Sequence, residues 1–381
     1  MNLQPIFSQA GAALLALFVL SLGSVAQADD WSPTLQKEIE RIDRTFSGDL
    51  GVYIRHLGTG QKVSHNIDQD WYLASTVKIP LAIVLMQRAE NEGLDLEQKL
   101  TLRAADYVDG TGDLLWVDPG ARYSLEELNR RSIVDSDSTA TDMLIRFLGE
   151  KSFGEDVARL VPEGLGPITT ILQVRYDAYR EVHPSVSVLT NRDFIDLKTA
   201  RTYQARYDML LKKLNITARE ADAKGVREAF ERYYQRGINS GSLEAFGALL
   251  EQLVRGELLN DAHTDQLLGY LSEITTGDHR IAGGLPAGTH FAHKTGTQVA
   301  RSCDIGLLNP QAPDEAVIVA VCARDYAALS EAERAYQAIG NALHESGLTR
   351  TVDYKARHPI PNSPNHARLI SNNSNQPRHN Q

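Results

Sequence analysis

Three short motifs, far apart in the chain, constrain the fold of this protein more than any other feature of its sequence. They lie at residues 75–78, 136–138 and 293–296 and read Ser-Thr-Val-Lys, Ser-Asp-Ser and His-Lys-Thr-Gly. Alone, each motif decides little, because a Ser-x-x-Lys sequence occurs about once by chance in a chain of this length. Together and in this order, they predict one cleft that combines a nucleophile, a proton shuttle and an anion-binding strand.

The first motif places Ser75 and Lys78 three residues apart, at the start of an apolar helix predicted over residues 79–89. Residues with this spacing share one helix face, and Ser75 also lies near the positive end of the helix dipole. A serine hydroxyl is a weak nucleophile until a base takes its proton. Lys78 can be that base if burial and a second cation, for which Lys294 is the natural candidate, lower its pKa. The alternative is a helix-capping serine beside a solvated lysine.

The second motif follows Ser75 by 61 residues, in a turn predicted between two helices. There the Ser136 hydroxyl can pass a proton between the nucleophile and a departing nitrogen, as a general acid. Alternatively, Ser136 or Asp137 caps the helix that begins near Thr139. Capping and catalysis are compatible, so both interpretations stay open.

The third motif lies at the end of a strand predicted over residues 289–296. A lysine and a threonine hydroxyl at a strand edge, Lys294 and Thr295, suit a substrate carboxylate. Gly296 leaves room for close approach of another backbone. The amides of Thr297 and Ser75 can then form an oxyanion hole for a tetrahedral intermediate. The alternative is an ordinary strand end.

The order of helical and strand patterns predicts an α+β fold. A helix and two strands come first, a block of helices follows, and three strands and a helix end the pattern. This order predicts an antiparallel sheet built from both chain ends and flanked by helices, with an all-helical lobe inserted between them. The predicted helices cover residues 34–46, 79–89, 124–131, 140–148, 198–214, 218–235, 243–254, 261–274 and 331–345, and the strands cover 50–57, 61–65, 289–296, 302–309 and 316–324.

The two chain ends are predicted to lie outside the folded domain. An apolar run over residues 10–22 and the small-x-small sequence at residues 26–28 predict a signal peptide, residues 1–28. No Lys or Arg precedes the apolar run, so an uncleaved membrane anchor is the alternative. Residues 29–357 are predicted to form the folded domain, and residues 358–381, rich in Asn, Pro, Ser and Arg, a disordered tail. We therefore expect a periplasmic or secreted protein with no stable membrane association after cleavage.

Charge and histidine content exclude some classes of partner. Acidic side chains outnumber basic ones by 49 to 39 and the mature chain has no basic run, so we expect no nucleic acid partner. His290 and His293 form an H-x-x-H pair, but this spacing on a strand places the two rings on opposite faces. We therefore predict no metal and no cofactor, with a metal-dependent hydrolase as the alternative.

The two cysteines, Cys303 and Cys322, lie on neighbouring strands of a predicted hairpin and come nearly opposite each other. In an oxidising compartment this arrangement allows a cross-strand disulfide. Two buried thiols that act as small apolar residues are the alternative, and the sequence leaves both open.

The motif set resembles that of the class A serine β-lactamase branch of the penicillin-binding-protein family. The resemblance extends to the sequences at residues 124–128, 258–260 and 283–288 and covers roughly residues 31–348, apart from one middle segment. It implies that Ser75 is acylated, with Lys78 as base or proton relay and Ser136 protonating the leaving nitrogen. It further implies that Lys294, Thr295 and Gly296 receive the carboxylate end of the substrate, that Ser138 holds the substrate amide and that Thr297 lines the oxyanion hole.

The resemblance fails in the middle segment, which is enlarged at about residues 162–239. Class A enzymes carry a Glu-x-x-Leu-Asn loop there, whose Glu activates the deacylating water, and this chain has no such pentapeptide. The nearest acid or base residues are Glu163, Asp177, Glu181 and His183, and spacing assigns the role to none of them.

Two smaller departures concern substrate binding. Ser138 replaces the usual Asn, and its shorter side chain changes how a substrate amide is held. Cys303 stands where many relatives have an arginine that grips the carboxylate. Arg301 can substitute if no bulge redirects its side chain.

Three functional hypotheses follow, each with a small-molecule β-lactam or a cell-wall peptide as the binding partner. The first is a serine β-lactamase that hydrolyses the β-lactam ring. The second is a D,D-peptidase or esterase of the same fold, which deacylates slowly after reaction with β-lactams. The third is a non-catalytic β-lactam-binding protein, against which the joint presence of Ser75, Lys78 and Lys294 argues.

Overall fold

The computed structural model describes residues 30–349. The predicted signal peptide (1–28) and the predicted tail (358–381) lie outside these residues. The α-helices of this part are α1 (Ser32–Thr45), α2 (Lys78–Glu92), α3 (Leu125–Val134), α4 (Ser138–Leu148), α5 (Glu150–Leu160), α6 (Ile171–Arg180), α7 (Asn191–Lys198), α8 (Tyr203–Leu214), α9 (Val226–Tyr234), α10 (Leu243–Val254), α11 (Asp261–Ser272) and α12 (Leu329–Glu345). The strands are β1 (Asp49–His56), β2 (Lys62–His65), β3 (Trp71–Tyr72), β4 (Lys99–Thr101), β5 (Arg122–Ser124), β6 (Ser240–Gly241), β7 (Phe291–Gln298), β8 (Arg301–Leu308) and β9 (Val317–Arg324).

Five strands form the central sheet, in the order β2-β1-β9-β8-β7, and every neighbouring pair is antiparallel. The predicted α+β architecture is therefore confirmed, because β1 and β2 come from the start of the chain and β7 to β9 from its end. All of β8 and nearly all of β9 are buried. Strands covered by helices on both faces read as continuous apolar runs rather than alternating ones, and β9 has that composition.

Each face of the sheet packs against its own set of helices. Helices α1 and α12 share a core with the outer face, where Ile39, Val319 and Ile339 are fully buried. On the other face, α2 and α10 bury Ile83 and Leu250 in the main core. Among the helices within residues 30–349, none is long and apolar enough to cross a membrane.

The enlarged middle segment forms a helical lobe with a core of its own. Helices α6 to α9 bury Tyr179, Phe194, Phe230 and Tyr233 against one another. The sequence predicts two long helices here, whereas the structure has four shorter ones, with α6 and α7 before the two that correspond to the predictions. Helix α6 interrupts its apolar pattern with polar residues that are buried nonetheless, which masks its periodicity.

Cys303 and Cys322 lie directly opposite each other on β8 and β9 and form a disulfide. The structure thus decides between the two alternatives that the sequence leaves open. Both residues are fully buried at the centre of the sheet. The disulfide therefore joins β9 to β8, the neighbour of β7, which carries the third motif.

Candidate active site

The three motifs meet at one cavity of about 690 Å³. Ser75, Lys78, Ser136, Ser138, Thr295 and Thr297 all line it. Lys294 lies directly behind this wall, with its amine on the Ser136 hydroxyl. The tertiary structure thus brings the predicted site residues together from the first, middle and last thirds of the chain.

Ser75 lies in a single 3₁₀ turn, Ala74–Val77, that leads directly into α2. Side chains three residues apart eclipse one another in a 3₁₀ turn, so Ser75 and Lys78 share one side as the sequence predicts. Ala74 has φ +48°, a left-handed conformation that is costly for a residue with a Cβ. The Thr76 hydroxyl stabilises this turn by donating to the Leu73 carbonyl at 2.8 Å.

The Lys78 amine is directed towards Ser136. Lys78 Nζ donates to the Ser136 carbonyl at 2.6 Å and to Ser136 Oγ at 3.1 Å. The Ser75 hydroxyl, by contrast, has no hydrogen-bond partner among residues 30–349. Burial of the Lys78 side chain lowers its pKa to about 8, although Asp137 and Asp142 oppose this shift. At about pH 7 about a tenth of Lys78 is therefore a neutral amine, the form that can accept a proton.

Ser136 connects the two halves of the site. Its backbone is left-handed, with φ +54°, and its carbonyl accepts hydrogen bonds from Lys78 Nζ and, at 2.5 Å, from Thr111 Oγ1. Its hydroxyl oxygen lies 3.1 Å from Lys78 Nζ and 2.9 Å from Lys294 Nζ. When both amines donate, the hydroxyl proton of Ser136 is free to point elsewhere. This arrangement suits a group that relays protons.

The residues after Ser136 fix the position of this turn. Asp137 caps α4, with Oδ1 accepting from the Ala140 amide at 2.8 Å, and Oδ2 accepts from the Leu114 amide at 3.0 Å. The capping interpretation is thus confirmed for Asp137, which leaves the Ser136 side chain for the cavity. Ser138, the first residue of α4, donates its amide to the Thr111 carbonyl at 3.0 Å. The 110–114 segment therefore braces the whole turn.

Lys294 is completely buried on β7. Its Nζ donates to Ser136 Oγ at 2.9 Å and to the Thr295 carbonyl at 3.1 Å. Burial and the nearby charges of Lys78 and Arg280 hold the pKa of Lys294 well below its ordinary value. The second lysine thus lies next to Lys78 as expected, but burial and not the charge of Lys294 lowers the pKa of Lys78. An anionic group in the cavity would restore the charge of Lys294 by compensating for this burial.

Gly296 lets β7 approach the nucleophile turn closely. A Cβ at this position would lie 2.6 Å from the Leu73 carbonyl oxygen and 2.8 Å from the Ser75 amide nitrogen. Any side chain would therefore push the strand away from Ser75. Because Thr297 follows immediately, its amide and that of Ser75 are held at adjacent positions of the cavity wall.

Arg280 is a site residue that the sequence analysis missed. Its guanidinium donates to the Gly296 and Cys303 carbonyls at 2.9 and 2.6 Å and to Thr297 Oγ1 at 2.5 Å. It lines the cavity beside the carboxylate-binding candidates. The available signal was a single arginine in the Gly- and Thr-rich stretch before the third motif, a position that no local periodicity marks.

Arg301, which the sequence offers as a substitute for the missing arginine, is engaged elsewhere. Its two terminal nitrogens donate to Asp325 at 2.7 Å and to Glu231 at 2.5 Å, and it stacks over the Tyr234 ring. It is not among the residues that line the cavity. The guanidinium near the third motif is therefore that of Arg280.

The wall formed by α6 is apolar and basic. Ile171, Val174 and Arg175 line the cavity there. Asp142, which is fully buried, anchors the start of α6 by accepting hydrogen bonds from the amides of Ile171 and Leu172 at 2.7 and 2.9 Å. Burial raises the pKa of Asp142 to about 6. Asp142 thus holds the backbone of α6 at the cavity but does not line the cavity itself.

The acid and base residues suggested for the middle segment lie away from the cavity. Glu163 is exposed, Asp177 accepts from Gln173, and His183 contacts the Ser185 hydroxyl. Among residues 30–349, the carboxylates that line the cavity are those of Asp278 and Glu333. They belong to the loop before β7 and to α12, not to the wall at α6.

The two histidines of the H-x-x-H pair have separate partners. His293 Nδ1 lies 2.6 Å from Asp304 Oδ1, and His290 Nδ1 lies 3.0 Å from Gln311 Oε1. In the part of the chain that the structure describes, no three His, Cys, Asp or Glu side chains are grouped so that they could hold a metal ion.

Comparison with known proteins identifies relatives over most of the chain. A family model described as "Beta-lactamase enzyme family" matches residues 34–176 and 186–346. A β-lactamase of Citrobacter koseri is 24% identical over 316 residues, which cover 81% of this chain and 86% of that protein. A β-lactamase of Rhodobacter capsulatus is 28% identical over 149 residues, 37% of this chain, and the match spans only half of that relative.

The fold is also found among solved structures. A variant of the protein PBP-A, solved as an acyl-enzyme complex with penicillin G, superposes with a TM-score of 0.60. The match covers 83% of this chain and 96% of that one, at 18% identity.

Proposed function

This chain belongs to the beta-lactamase enzyme family, and we propose that it is a serine hydrolase that forms an acyl-enzyme with β-lactams at Ser75. One observation carries the proposal. Two buried lysine amines, those of Lys78 and Lys294, converge on the Ser136 hydroxyl in the cavity that Ser75 lines. Burying two cations beside each other is costly, and acid–base chemistry explains the arrangement better than stability does.

In the acylation step, Ser75 Oγ attacks the carbonyl carbon of the β-lactam and loses its proton to the neutral Lys78 amine. The carbonyl oxygen becomes an oxyanion, which the amides of Ser75 and Thr297 stabilise. As the carbon–nitrogen bond breaks, Ser136 donates its proton to the leaving nitrogen and receives one from Lys78. The contact between Lys78 Nζ and Ser136 Oγ supports this route for the proton.

The substrate carboxylate is received at the start of the third motif. Lys294 and Arg280 supply positive charge there, and Thr295 contributes a hydroxyl that contacts Thr276 Oγ1 at 2.6 Å. A guanidinium and an ammonium together bind a carboxylate strongly in a poorly solvated site. Ser138, at the opposite wall, is available to the substrate amide.

Deacylation needs a base that activates the attacking water. The side chains on the wall at α6 therefore affect the rate of deacylation. That wall presents Ile171, Val174 and Arg175 to the cavity, and among the described residues none of its lining side chains is a carboxylate. This observation favours a second candidate function, a D,D-peptidase or esterase that acts on cell-wall peptides and releases β-lactams slowly. The two candidates share the acylation chemistry at Ser75 and differ in the lifetime of the acyl-enzyme.

We place the protein in the periplasm or outside the cell. The buried disulfide between Cys303 and Cys322 is of the kind that persists in oxidising compartments. The proposal also rests on the signal peptide predicted for residues 1–28 and on the substrates that the family encounters there.

The test is intact-mass spectrometry of the protein over time after mixing with a penicillin, a cephalosporin and a carbapenem. We expect an adduct with the mass of each drug, and we expect Ser75→Ala to form none while keeping its melting temperature. Ser187→Ala, which removes an exposed hydroxyl of the helical lobe, is the matched control and should react like the wild type.

The time course separates the two candidates. An adduct that clears while the drug is consumed identifies a β-lactamase, and an adduct that persists identifies a slow deacylator with another natural substrate. Labelling of Ser75→Ala at the wild-type rate would rule out the proposed nucleophile.

A further inference from the structure

The cavity that holds Ser75 continues into the helical lobe, where its wall becomes strongly basic. Arg175 of α6, Lys198 at the end of α7, Arg206 of α8 and Arg227 of α9 all line it. We call these four side chains the lobe cations. They come from the segment that has no counterpart in the motif resemblance, so the acylation chemistry described above does not account for them.

The lobe cations are only partly neutralised. Arg175 Nε donates to Asp109 at 2.6 Å, but Arg175 Nη1 and Arg206 Nε are buried and have no hydrogen-bond partner. Among residues 30–349, Lys198, Arg206 and Arg227 form no ion pair. Within these residues, Asp109 is the one carboxylate that forms an ion pair with a lobe cation, while Asp278 and Glu333 also line the cavity.

This arrangement is unfavourable without an anion. A buried guanidinium nitrogen that lacks an acceptor loses its hydration without compensation, and clustered like charges repel one another. Arg175 is only 6% exposed, so water compensates little of this loss. The chain as a whole has a net charge of −10. The cluster is thus a local feature and not a consequence of a basic surface.

The direction of β7 shows which part of a substrate would reach the lobe cations. Along the strand, Lys294 and Thr295 come first and Thr297, the oxyanion-hole candidate, follows. Val299 comes next and contacts the helical lobe, because its carbonyl accepts from Tyr234 Oη at 2.9 Å. With the leaving-side carboxylate at Lys294 and the carbonyl at Thr297, the acyl arm continues towards the lobe.

We propose that the lobe cations form a second anion subsite, which binds a carboxylate on the acyl arm of the substrate. The preferred acyl donor then has two carboxylates, one on each side of the scissile bond, as in a peptide with an acidic side chain next to that bond. This inference rests on the proposed function, since it assumes acylation at Ser75.

The test compares two penicillins that differ only at the end of the acyl arm. The adipoyl and hexanoyl amides of aminopenicillanic acid have acyl chains of equal carbon number, and only the adipoyl chain ends in a carboxylate. We expect the second-order rate constant for acylation, followed by intact mass, to be about tenfold or more higher for the adipoyl compound. The preference should shrink as the salt concentration rises.

Two variants assign the preference to the lobe cations. Arg206→Gln removes a partly buried charge of the cluster, and Lys198→Gln removes an exposed one at its rim, where folding is not at risk. Each should reduce the ratio of the two rate constants, and the double variant should bring it close to one. Arg192→Gln removes an exposed charge from the same lobe, outside the cavity wall, and should keep the wild-type ratio.

The outcomes are distinguishable. Equal rate constants in the wild type, or a ratio that Arg192→Gln lowers as much as Arg206→Gln does, would overturn the second subsite while leaving acylation at Ser75 intact. If neither compound acylates Ser75, the proposed function fails and the subsite fails with it. The subsite is supported if each single variant lowers the preference, the double variant abolishes it and Arg192→Gln keeps it.

Discussion

Lys78 and Lys294 donate to the same oxygen, Ser136 Oγ, at 3.1 and 2.9 Å. Both amines are buried, with exposures of 1% and 0%. Two like charges held on one oxygen disfavour each other, and within residues 30–349 the contacts of both amines are to hydroxyl and carbonyl oxygens and not to a carboxylate. The pair therefore favours a state in which one amine is neutral, and a neutral amine at Ser136 Oγ can accept a proton.

The acylation rate should follow the titration of Lys78. With a pKa of about 8, the neutral fraction of Lys78 grows about tenfold from about pH 6 to about pH 7 and levels off above about pH 9. The single-turnover rate at saturating benzylpenicillin should rise in the same way. Lys78→Arg, which stays charged, should lower it by about 10²- to 10⁴-fold.

Lys151→Arg, at an exposed position of α5, is the control for this measurement and should leave the pH profile unchanged. A wild-type rate that is independent of pH from about pH 6 to about pH 9 would exclude Lys78 as the base.

Burial of the Lys78 amine should also lower the free energy of unfolding of the protein. Its pKa is 10.5 in the unfolded chain and about 8 in the folded one, so the burial cost is fully present below about pH 8. Between these values the unfolded chain binds more protons, and the free energy of unfolding rises with pH. Lys78→Met should therefore raise the free energy of unfolding by about 1–3 kcal/mol at about pH 7.

Urea unfolding at about pH 7 and about pH 10 measures the difference in the free energy of unfolding between Lys78→Met and the wild type. It should narrow at the higher pH, where the wild-type amine is neutral in the folded state and partly neutral in the unfolded one. The Ser136 carbonyl keeps a donor in the variant, because Thr111 Oγ1 still contacts it at 2.5 Å. A variant that is less stable than the wild type at both pH values would contradict the prediction.

A carboxylate placed on the wall at α6 should speed deacylation. Ile171 lines the cavity at the first turn of α6, and its backbone is held by Asp142. In Ile171→Glu the new carboxylate can act as a base for water, so the acyl-enzyme lifetime should fall by about 10²-fold. Ile171→Gln has the same shape without a base and should keep the wild-type lifetime. Equal lifetimes of the Glu and Gln variants would show that the wall does not limit deacylation.

Arg280 should bind the substrate carboxylate, and Arg301 should not. Arg280→Gln is expected to lower the acylation rate constant for benzylpenicillin by about 10- to 100-fold. It should have much less effect on the methyl ester of the same drug, which lacks the charge. The ratio of acid to ester thus separates carboxylate binding from loss of the backbone contacts that Arg280 makes with Gly296 and Cys303.

Arg301→Gln provides the comparison for this experiment. Arg301 is as buried as Arg280, at 5% exposure, but it pairs with Glu231 and Asp325. Its removal should lower the melting temperature without changing the acid-to-ester ratio. A larger change in the ratio for Arg301→Gln than for Arg280→Gln would reverse the assignment.

Local sequence patterns predicted most of the elements. Helix α10 has the predicted bounds, Leu243–Val254. Each end of the two strands in the cysteine hairpin lies within one residue of its predicted position. Both elements have strong periodicity or a continuous apolar run. The helical lobe was predicted less well, because buried Arg175 and Asp177 interrupt the apolar face of α6, and Arg175 pairs with Asp109 from a remote part of the chain.

The sequence by itself determined most of the helices and strands, the three motifs and the close approach that Gly296 permits. These features depend on periodicity, capping and the lack of a Cβ, which act over a few neighbouring residues. Only the tertiary structure decided that Lys78 contacts Ser136 and not Ser75, that Arg280 lies at the third motif, and that Arg206 faces the same cavity as Ser75. These properties depend on burial and on distances between charges from remote parts of the chain. Such distances exist only once the core has packed, and they set the pKa values on which the chemistry depends.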